Sequence, residues 1–483
     1  MSTGKTYQGV ETSAPVYFVL ILLLAIGGGE KVERDNFYHR LIVTSIPMII
    51  QQIISVTLNL ADTIMVGKVS ENALAAVGAA NQIYFIFSVV LFGIFSGAAV
   101  HAVQYWGIGD IDSLRKIVGI DYTMCIVLSV PVIIAVYFAA PFFIELFSHN
   151  AEVIAMGTQY MKIACFSYFF SGMTFVISYN SRSVQDLKYP TIINACAILL
   201  NIILNYLLIF GHFGFPEMGV KGAAVATLAA RILECIAMHL SIYLRKKHPL
   251  KATFGQLFSY SGSMFINIMK TAIPVIITEG LWAFSVSSIF AAYGKISAAA
   301  LAVSQIAVTV TDFFQTVYCG MGNAAAVLIG KVLGRGLKER AFQYSQKVLN
   351  VTWILNVAMT VLIILIRRPI ALIYNFGPET TDMLMKALLV YAVAMAPKML
   401  AYMTICAILR AGGDTMFCMY VDVSFNVGLQ IPLAYIGVLV LKWSLPWVMA
   451  LVAVADFIKV FFCYHRYYSK KWMNIFTGRE EIC

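Results

Sequence analysis

Asp62 is the one carboxylate in the apolar run from Pro47 to Gly67, PMIIQQIISVTLNLADTIMVG. At 100° per residue along a helix, Gln51, Ser55, Asn59 and Asp62 fall within a sector of about 80°, so one stripe of a greasy helix is polar. A second polar stripe follows further on. Asn194, Asn201 and Asn205 lie within about 40° of one another, because seven and eleven residues are close to whole numbers of turns. Thr227 sits on the next apolar run. A carboxylate surrounded by amide and hydroxyl oxygens accepts a hard monovalent cation, and the carboxylate alone accepts a proton. Asp62, Asn201, Asn205 and Thr227 are therefore the expected cation-coupling residues, with Asp62, Asn201 and Asn205 as ligands if the ion is Na⁺. An ionisable group within a spanning helix is expensive in lipid, so it faces a bundle interior or a wet cavity and marks function. Two plainer readings stay open: Asp62 reaching the headgroups from a helix end, and asparagines serving as hydrogen-bonding glue between packed helices.

Such stripes need apolar helices to carry them, and the chain is built almost wholly of these. Its 483 residues are 60% hydrophobic and 12% charged, with a mean hydropathy of +0.82. Soluble domains run at about 45–50% apolar and 25% charged. Apolar runs near or above the roughly 20 residues needed to cross the hydrocarbon recur along the chain, and no polar segment is long enough for a soluble domain. The pattern predicts an all-α membrane protein with twelve transmembrane helices. These centre on residues 41–64, 75–103, 117–140, 158–180, 190–211, 220–244, 264–291, 299–330, 348–366, 383–409, 416–440 and 444–465.

The net charge of +10 follows from topology and lipid headgroups, not from nucleic acid. With the N-terminus inside, the outer loops carry only Lys68, Lys221, Lys295, Arg367, Arg368 and Lys442, whereas inner segments hold clusters such as Arg245-Lys246-Lys247. That bias predicts a cell-membrane protein with both termini cytoplasmic. The nine cysteines show no CxxC pair and imply neither a disulfide framework nor a metal site. The apolar run at residues 15–29 is short for a span and ends in three glycines, and only Lys5 precedes it as a positive charge, so it is expected to be an interfacial or loosely ordered tail.

The chain is also written twice. Gly67-Lys68-Val69-Ser70 is matched by Gly294-Lys295-Ile296-Ser297, Ala73-Leu74-Ala75 by Ala300-Leu301-Ala302, and Gly107-Ile108-Gly109 by Gly334-Arg335-Gly336, all on one unchanging offset. Arg182 and Asp186 are matched by Arg410 and Asp414 on an offset longer by a single position. The repeat predicts an N-terminal tail at 1–39, a six-helix bundle at 40–245, a cytoplasmic linker at 246–261, a second six-helix bundle at 262–467 and a cytoplasmic tail at 468–483. An even number of spans per unit gives parallel repeats about an axis along the membrane normal, with a cavity between them near the midplane. GKVLGRG lacks the Walker spacing and is no nucleotide loop.

These residues resemble the multidrug and toxic compound extrusion (MATE) family. The likeness rests on SIPMIIQQ followed by LADTIMVG, on LLNIILNY from Leu199 to Tyr206, on AVATLAAR from Ala224 to Arg231, and on the paired Arg182/Asp186 and Arg410/Asp414 loops, and it covers about residues 40–467. It implies a secondary antiporter, with no cofactor beyond a coupling ion, that exports organic cations or other drug-like amphiphiles in exchange for inward Na⁺ or H⁺. It also implies that Asp62, Asn201, Asn205 and Thr227 occupy the family's first-half cation site. Some members carry a second acid where this chain has Asn205, leaving one carboxylate for one proton or one Na⁺.

In the second half, Glu279, a fifth expected cation-coupling residue, stands fifteen residues before Gly294, the spacing of an acid in a Na⁺-coupled branch of the family. The aspartate of that branch eleven residues before the arginine is here Met399, with Lys398 beside it, so a Glu279–Lys398 pair is one expectation and a free Glu279 the other. Asp312, Lys398 and Asp422 form a possible second polar site, Asp422 being the repeat partner of Asn194 and leading a face with Asn426 and Gln430. Glu234, Lys270, Asp456 and Lys459 read as structural or interfacial charges. Gln51, Asn59, Trp282 and Phe284 are candidate linings of a substrate cavity, and Pro47, Pro190, Pro274 and Pro432 candidate bending points. The competing classes are a lipid-linked oligosaccharide flippase of the same superfamily and a non-transporting receptor or scaffold. No HExxH, GxSxG or Walker motif points to an enzyme. The expected partners are a small amphiphilic or cationic molecule and the bilayer, the chain acting as a monomer.

Overall fold

A computed structural model describes residues 37–373 and 376–478, so the apolar run at 15–29 lies outside the described residues. Regular structure among them is helical throughout. The main helices are α1 (Phe37–Gly67), α2 (Glu71–Ile108), α3 (Ile111–Phe138), α4 (Ala151–Ala164), α5 (Phe166–Ser183), α6 (Lys188–Phe210), α7 (Val220–Tyr243), α8 (Gly262–Gly294), α9 (Ala298–Gly334), α10 (Lys338–Ile373), α11 (Pro378–Tyr402), α12 (Thr415–Phe425) and α13 (Leu445–Tyr468). Among the described residues ten helices are long and apolar enough to cross a membrane, and α4 with α5 makes an eleventh. The 31-residue α1 precedes them. Several outrun the predicted spans: α2 has 38 residues, about 57 Å at 1.5 Å per residue, and so projects beyond the roughly 30 Å hydrocarbon.

The predicted single span at 158–180 is instead bent by 45° between α4 and α5. Neither Pro nor Gly stands at the break. The Ser167 hydroxyl donates to the Ala164 carbonyl at 2.6 Å, and the Tyr168 amide bonds only three residues back, to Cys165, so the helical ladder is interrupted by a side chain. α11 runs on to Leu409, and α12 to Val440, through π-helical stretches at Met403–Leu409, Asn426–Gln430 and Ile436–Val440. Pro190 stands in the first turn of α6, where its missing N–H breaks no helical bond.

Helix α1 packs on α6 and α9, α2 on α3, α4, α5 and α8, α6 on α7, α10 on α11, and α11 on α13. One buried cluster is drawn from residues 66–268, a second from α1 and residues 187–473, and a third from residues 292–452. The sequence repeat has a structural counterpart. Ser70 and Ser297 cap α2 and α9 with the same backbone angles, and each accepts the amide three residues on at 3.0 Å. Where α2 meets α8, a Cβ on Gly93 would lie 2.7 Å from the Ile276 Cα; where α9 meets α1, a Cβ on Gly320 would lie 3.0 Å from the Ile49 Cα. Both glycines are what lets these helices touch backbone to backbone.

The described part of the expected C-terminal tail is packed. Trp472 is fully buried, and its Nε1 donates to the Tyr467 carbonyl at 3.1 Å. The Asn474 amide group donates to the Gly412 carbonyl at 3.0 Å. The buried Gln104 of α2 both donates to the Asn474 carbonyl at 3.0 Å and accepts the Phe476 amide at 2.8 Å. Gly412 has no Cβ to collide with Trp472, and Gly413, at φ +79°, leaves room for the Phe476 ring. The segment thereby bridges the ends of α2, α9 and α11, with Thr477 donating to the Gly334 carbonyl at 2.9 Å.

Candidate functional site

Packing of α1 on α6 and of α6 on α7 brings the two polar stripes together. Asn205 Nδ2 donates to Asp62 Oδ1 at 2.6 Å and to Asn201 Oδ1 at 3.2 Å, and Asn201 Nδ2 reaches Thr227 Oγ1 at 3.5 Å. Asn201 and Asn205, four residues apart, share one helix face and are both buried. Asp62, Asn201, Asn205 and Thr227 thus form one connected group on α1, α6 and α7.

One atom in this group is left over. With both bonds leaving from its amino group, Asn205 keeps a buried Oδ1 without a partner. A buried carbonyl oxygen without a donor is unusual and calls for a ligand or water. The donors suit a hard monovalent cation: one carboxylate, amide oxygens and a hydroxyl, with neither thiolate nor imidazole. Among the described residues no group of three or more His, Cys, Asp or Glu could hold a metal ion.

Two further side chains, Tyr160 and Arg231, belong to the neighbourhood and escaped the sequence reading. The buried Tyr160 of α4 interacts with both Thr227 and Asp62. Arg231 Nη1 donates to Glu234 Oε2 at 2.7 Å, and Asn194 Nδ2 donates to Glu234 Oε1 at 2.9 Å. Asn194, although in the asparagine stripe, therefore serves Glu234 and not Asp62. Arg231 was within reach of sequence reasoning, because it stands one turn after Thr227 on the same face; Tyr160 carried no such signal.

In the second half the expected partner of Glu279 is corrected. Glu279 Oε1 accepts Arg410 Nη2 at 3.0 Å, so its cation is Arg410 rather than Lys398. Lys398 interacts instead with Asp312 and Asp456. Asp422 is paired with Lys459 at 2.5 Å, and Lys459 also donates to Asn426 Oδ1 at 3.2 Å. Gln430 donates to Asp456 at 3.0 Å. Lys398, Asp456, Tyr293, Tyr391, Thr311 and Gln315 line an internal cavity of about 60 Å³. Drug-sized sites run from about 300 to 1,000 Å³, so it holds small species only.

Among the candidate cavity residues, Gln51 is buried and accepts Arg182 Nη2 at 2.9 Å. Trp282 and Phe284 on α8 are 41% and 58% exposed. The side chain of Asn59 lies outside the described residues.

The MatE family profile matches residues 47–207 and 274–436, the two halves of the repeat. A probable multidrug resistance protein NorM of Thermotoga maritima is 25% identical over 353 residues, covering 73% of this chain and 75% of that protein. An uncharacterized transporter of Bacillus subtilis, YisQ, is 24% identical over 434 residues, 89% of this chain and 93% of its own. A crystal structure of a MATE protein in a bent conformation superposes with a TM-score of 0.82 over 92% of this chain and 99% of that one, at 18% identity. With its apolar helices, its duplicated profile match and its likeness to a probable multidrug resistance protein, the chain belongs to the MatE family of multidrug efflux transporters, which are carriers and not enzymes.

Proposed function

We propose that this protein is a secondary active antiporter of the cell membrane that exports amphiphilic or cationic small molecules in exchange for inward Na⁺ or H⁺. The reading includes twelve spans, α1 being the first. Two six-helix bundles at 40–245 and 262–467 are joined by the linker 246–261, and both termini are cytoplasmic. It works as a monomer, with the coupling ion as its only inorganic requirement.

The observation that carries the proposal is Asp62 bonded at 2.6 Å to an Asn205 whose own oxygen has no partner. An ion entering there meets a carboxylate from α1 and an amide oxygen from α6 already gathered side by side. Ion binding would favour the packing of α1, α6 and α7 in which those oxygens converge, and cargo binding the alternative, so each ligand lowers the affinity for the other through one shared equilibrium. Loading from one side and release to the other then couple cargo export to ion entry.

The test is efflux from proteoliposomes under separately imposed pH and Na⁺ gradients, native protein against Asp62→Asn. Efflux driven by one gradient and lost in the variant is expected. Equal efflux with both gradients removed would end the antiport reading, and an unchanged variant would remove Asp62 from it.

A further inference from the structure

Arg231 is a cation within electrostatic reach of Asp62, and it is covalently part of the protein. It stands one turn beyond Thr227 on α7, so its side chain leaves the helix on the face that closes the Asp62 group. Its guanidinium is bonded to Glu234, whose side chain is fully buried and whose second oxygen is held by Asn194. Asp62 is within its electrostatic reach, as is Tyr84 of α2, yet Asp62 has no ion pair among the described residues. Tyr160 faces the same group from α4.

Charge counting gives this arrangement a direction. Asp62 and Glu234 are two carboxylates against one guanidinium, which leaves one negative charge for one monovalent cation. In the second half, Lys459 occupies the repeat position of Arg231 and Asp422 that of Asn194, on the register that aligns Arg182 with Arg410. There the pair is closed at 2.5 Å. Ile289 stands at the counterpart of Asp62, on the register that aligns Gly67 with Gly294. One basic position is thus kept in both halves; Lys459 faces both Asp422 and Asp456, and Asp456 has a second cation in Lys398, whereas among the described residues Asp62 has only Arg231.

We propose that Arg231 is a tethered counter-cation that displaces the coupling ion, resting on Glu234 while Asp62 holds its ion and turning to Asp62 as the ion leaves. The guanidinium is suited to this because its five donors form a fork that can keep one edge on Glu234 while another reaches Asp62; an ammonium is a single point of charge. A vacated Asp62 is then never a bare carboxylate inside the protein, and ion release is not blocked by the cost of leaving one. Arg231 is a positioning residue: it acts through Asp62 and touches neither ion nor cargo.

The inference rests on Asp62 being the ion site, and its test separates the two. The purified full-length transporter is assayed for equilibrium binding of whichever ion drives efflux, ²²Na⁺ or protons, alongside ion-driven efflux in proteoliposomes. The informative variant is R231Q/E234Q, which removes both charges together and leaves two amides able to bond each other. The expected result is binding at least roughly tenfold tighter, because no guanidinium then competes with the ion for Asp62 while the net charge beside it is unchanged, with efflux turnover reduced at least roughly tenfold. R231K should fall between this variant and the native protein. Native affinity and native turnover in R231Q/E234Q would show that Arg231 only neutralises Glu234, and would overturn the proposal. Asp62→Asn in the native background should abolish binding; if binding survives there, the fault lies with Asp62 as the site, whatever Arg231 does.

Discussion

Arg410 donates to Glu279 at 3.0 Å, and its repeat partner Arg182 donates to Gln51 at 2.9 Å. The likeness extends to what is left unsatisfied, since the Nε of each arginine is buried without a partner. The same inter-helix bond, α1 to the end of α5 and α8 to the end of α11, is made in one half by a neutral amide and in the other by a carboxylate. Glu279 is therefore read first as the acid end of an arginine clamp.

Glu279→Gln should accordingly be tolerated, because the first half already holds its arginine with glutamine. Efflux within about threefold of native is expected, together with little change in thermal unfolding of the purified protein. Arg410→Ala removes the buried cation from a carboxylate whose side chain is 20% exposed, and breaking such a pair costs up to about 3–5 kcal/mol. A sharply lowered unfolding temperature is the expected outcome.

Asn205→Ala removes the donor to Asp62 and the unpaired oxygen together. Ion affinity should fall at least roughly tenfold. Thr227→Ala loses a contact of 3.5 Å to Asn201 and the interaction with Tyr160, but leaves the Asp62–Asn205 bond in place, and should cost less. Ion-binding isotherms on the two variants check the order.

Asp186 lies between α5 and α6, outside the spans, and bonds to Arg245 at 2.6 Å and to His248 at 3.0 Å. Partial burial works to raise its pKa, but the bonds and charges of His248 and Arg245 outweigh it, so the carboxyl is held below its ordinary value. A depressed carboxyl adds stability above its unfolded pKa of about 4, and that stability disappears as pH falls through the folded value. The stability gap between native protein and Asp186→Asn should close as pH falls below about 4. Thermal unfolding across that range measures it.

Gly93→Ala and Gly320→Ala should each destabilise, by about 1–3 kcal/mol, because the added methyl would overlap backbone of the facing helix. Gly78→Ala and Gly280→Ala, with open space around them, should be neutral or gain up to about 1 kcal/mol. Parallel unfolding scans of the four variants compare them.

How far the sequence carries is set by the range of each signal. Asn201 and Asn205 could be joined to a site because helical periodicity alone puts them on one face, and Asp62 because a carboxylate stands out in an apolar run. The repeat was legible because cap residues such as Ser70 and Ser297 answer to local backbone geometry. The cation that Glu279 meets was not legible: Lys398 and Arg410 lie on the same continuous helical stretch, and which turn faces α8 is settled by packing. The bend at Cys165 had no Pro or Gly to announce it, being made by the Ser167 hydroxyl. Arg231 was visible as a letter but its reach to Asp62 depends on how α7 sits against α1.

The segment around Trp472, wedged among α2, α9 and α11, leaves the ribosome after all the helices described above. A message cut just past α13 would still encode each of those helices, yet the protein made from it would lack the plug that Gln104 grips. Assembly at that end of the molecule can therefore finish only once the segment after α13 has been synthesised, and a premature stop before it is a lesion of closure.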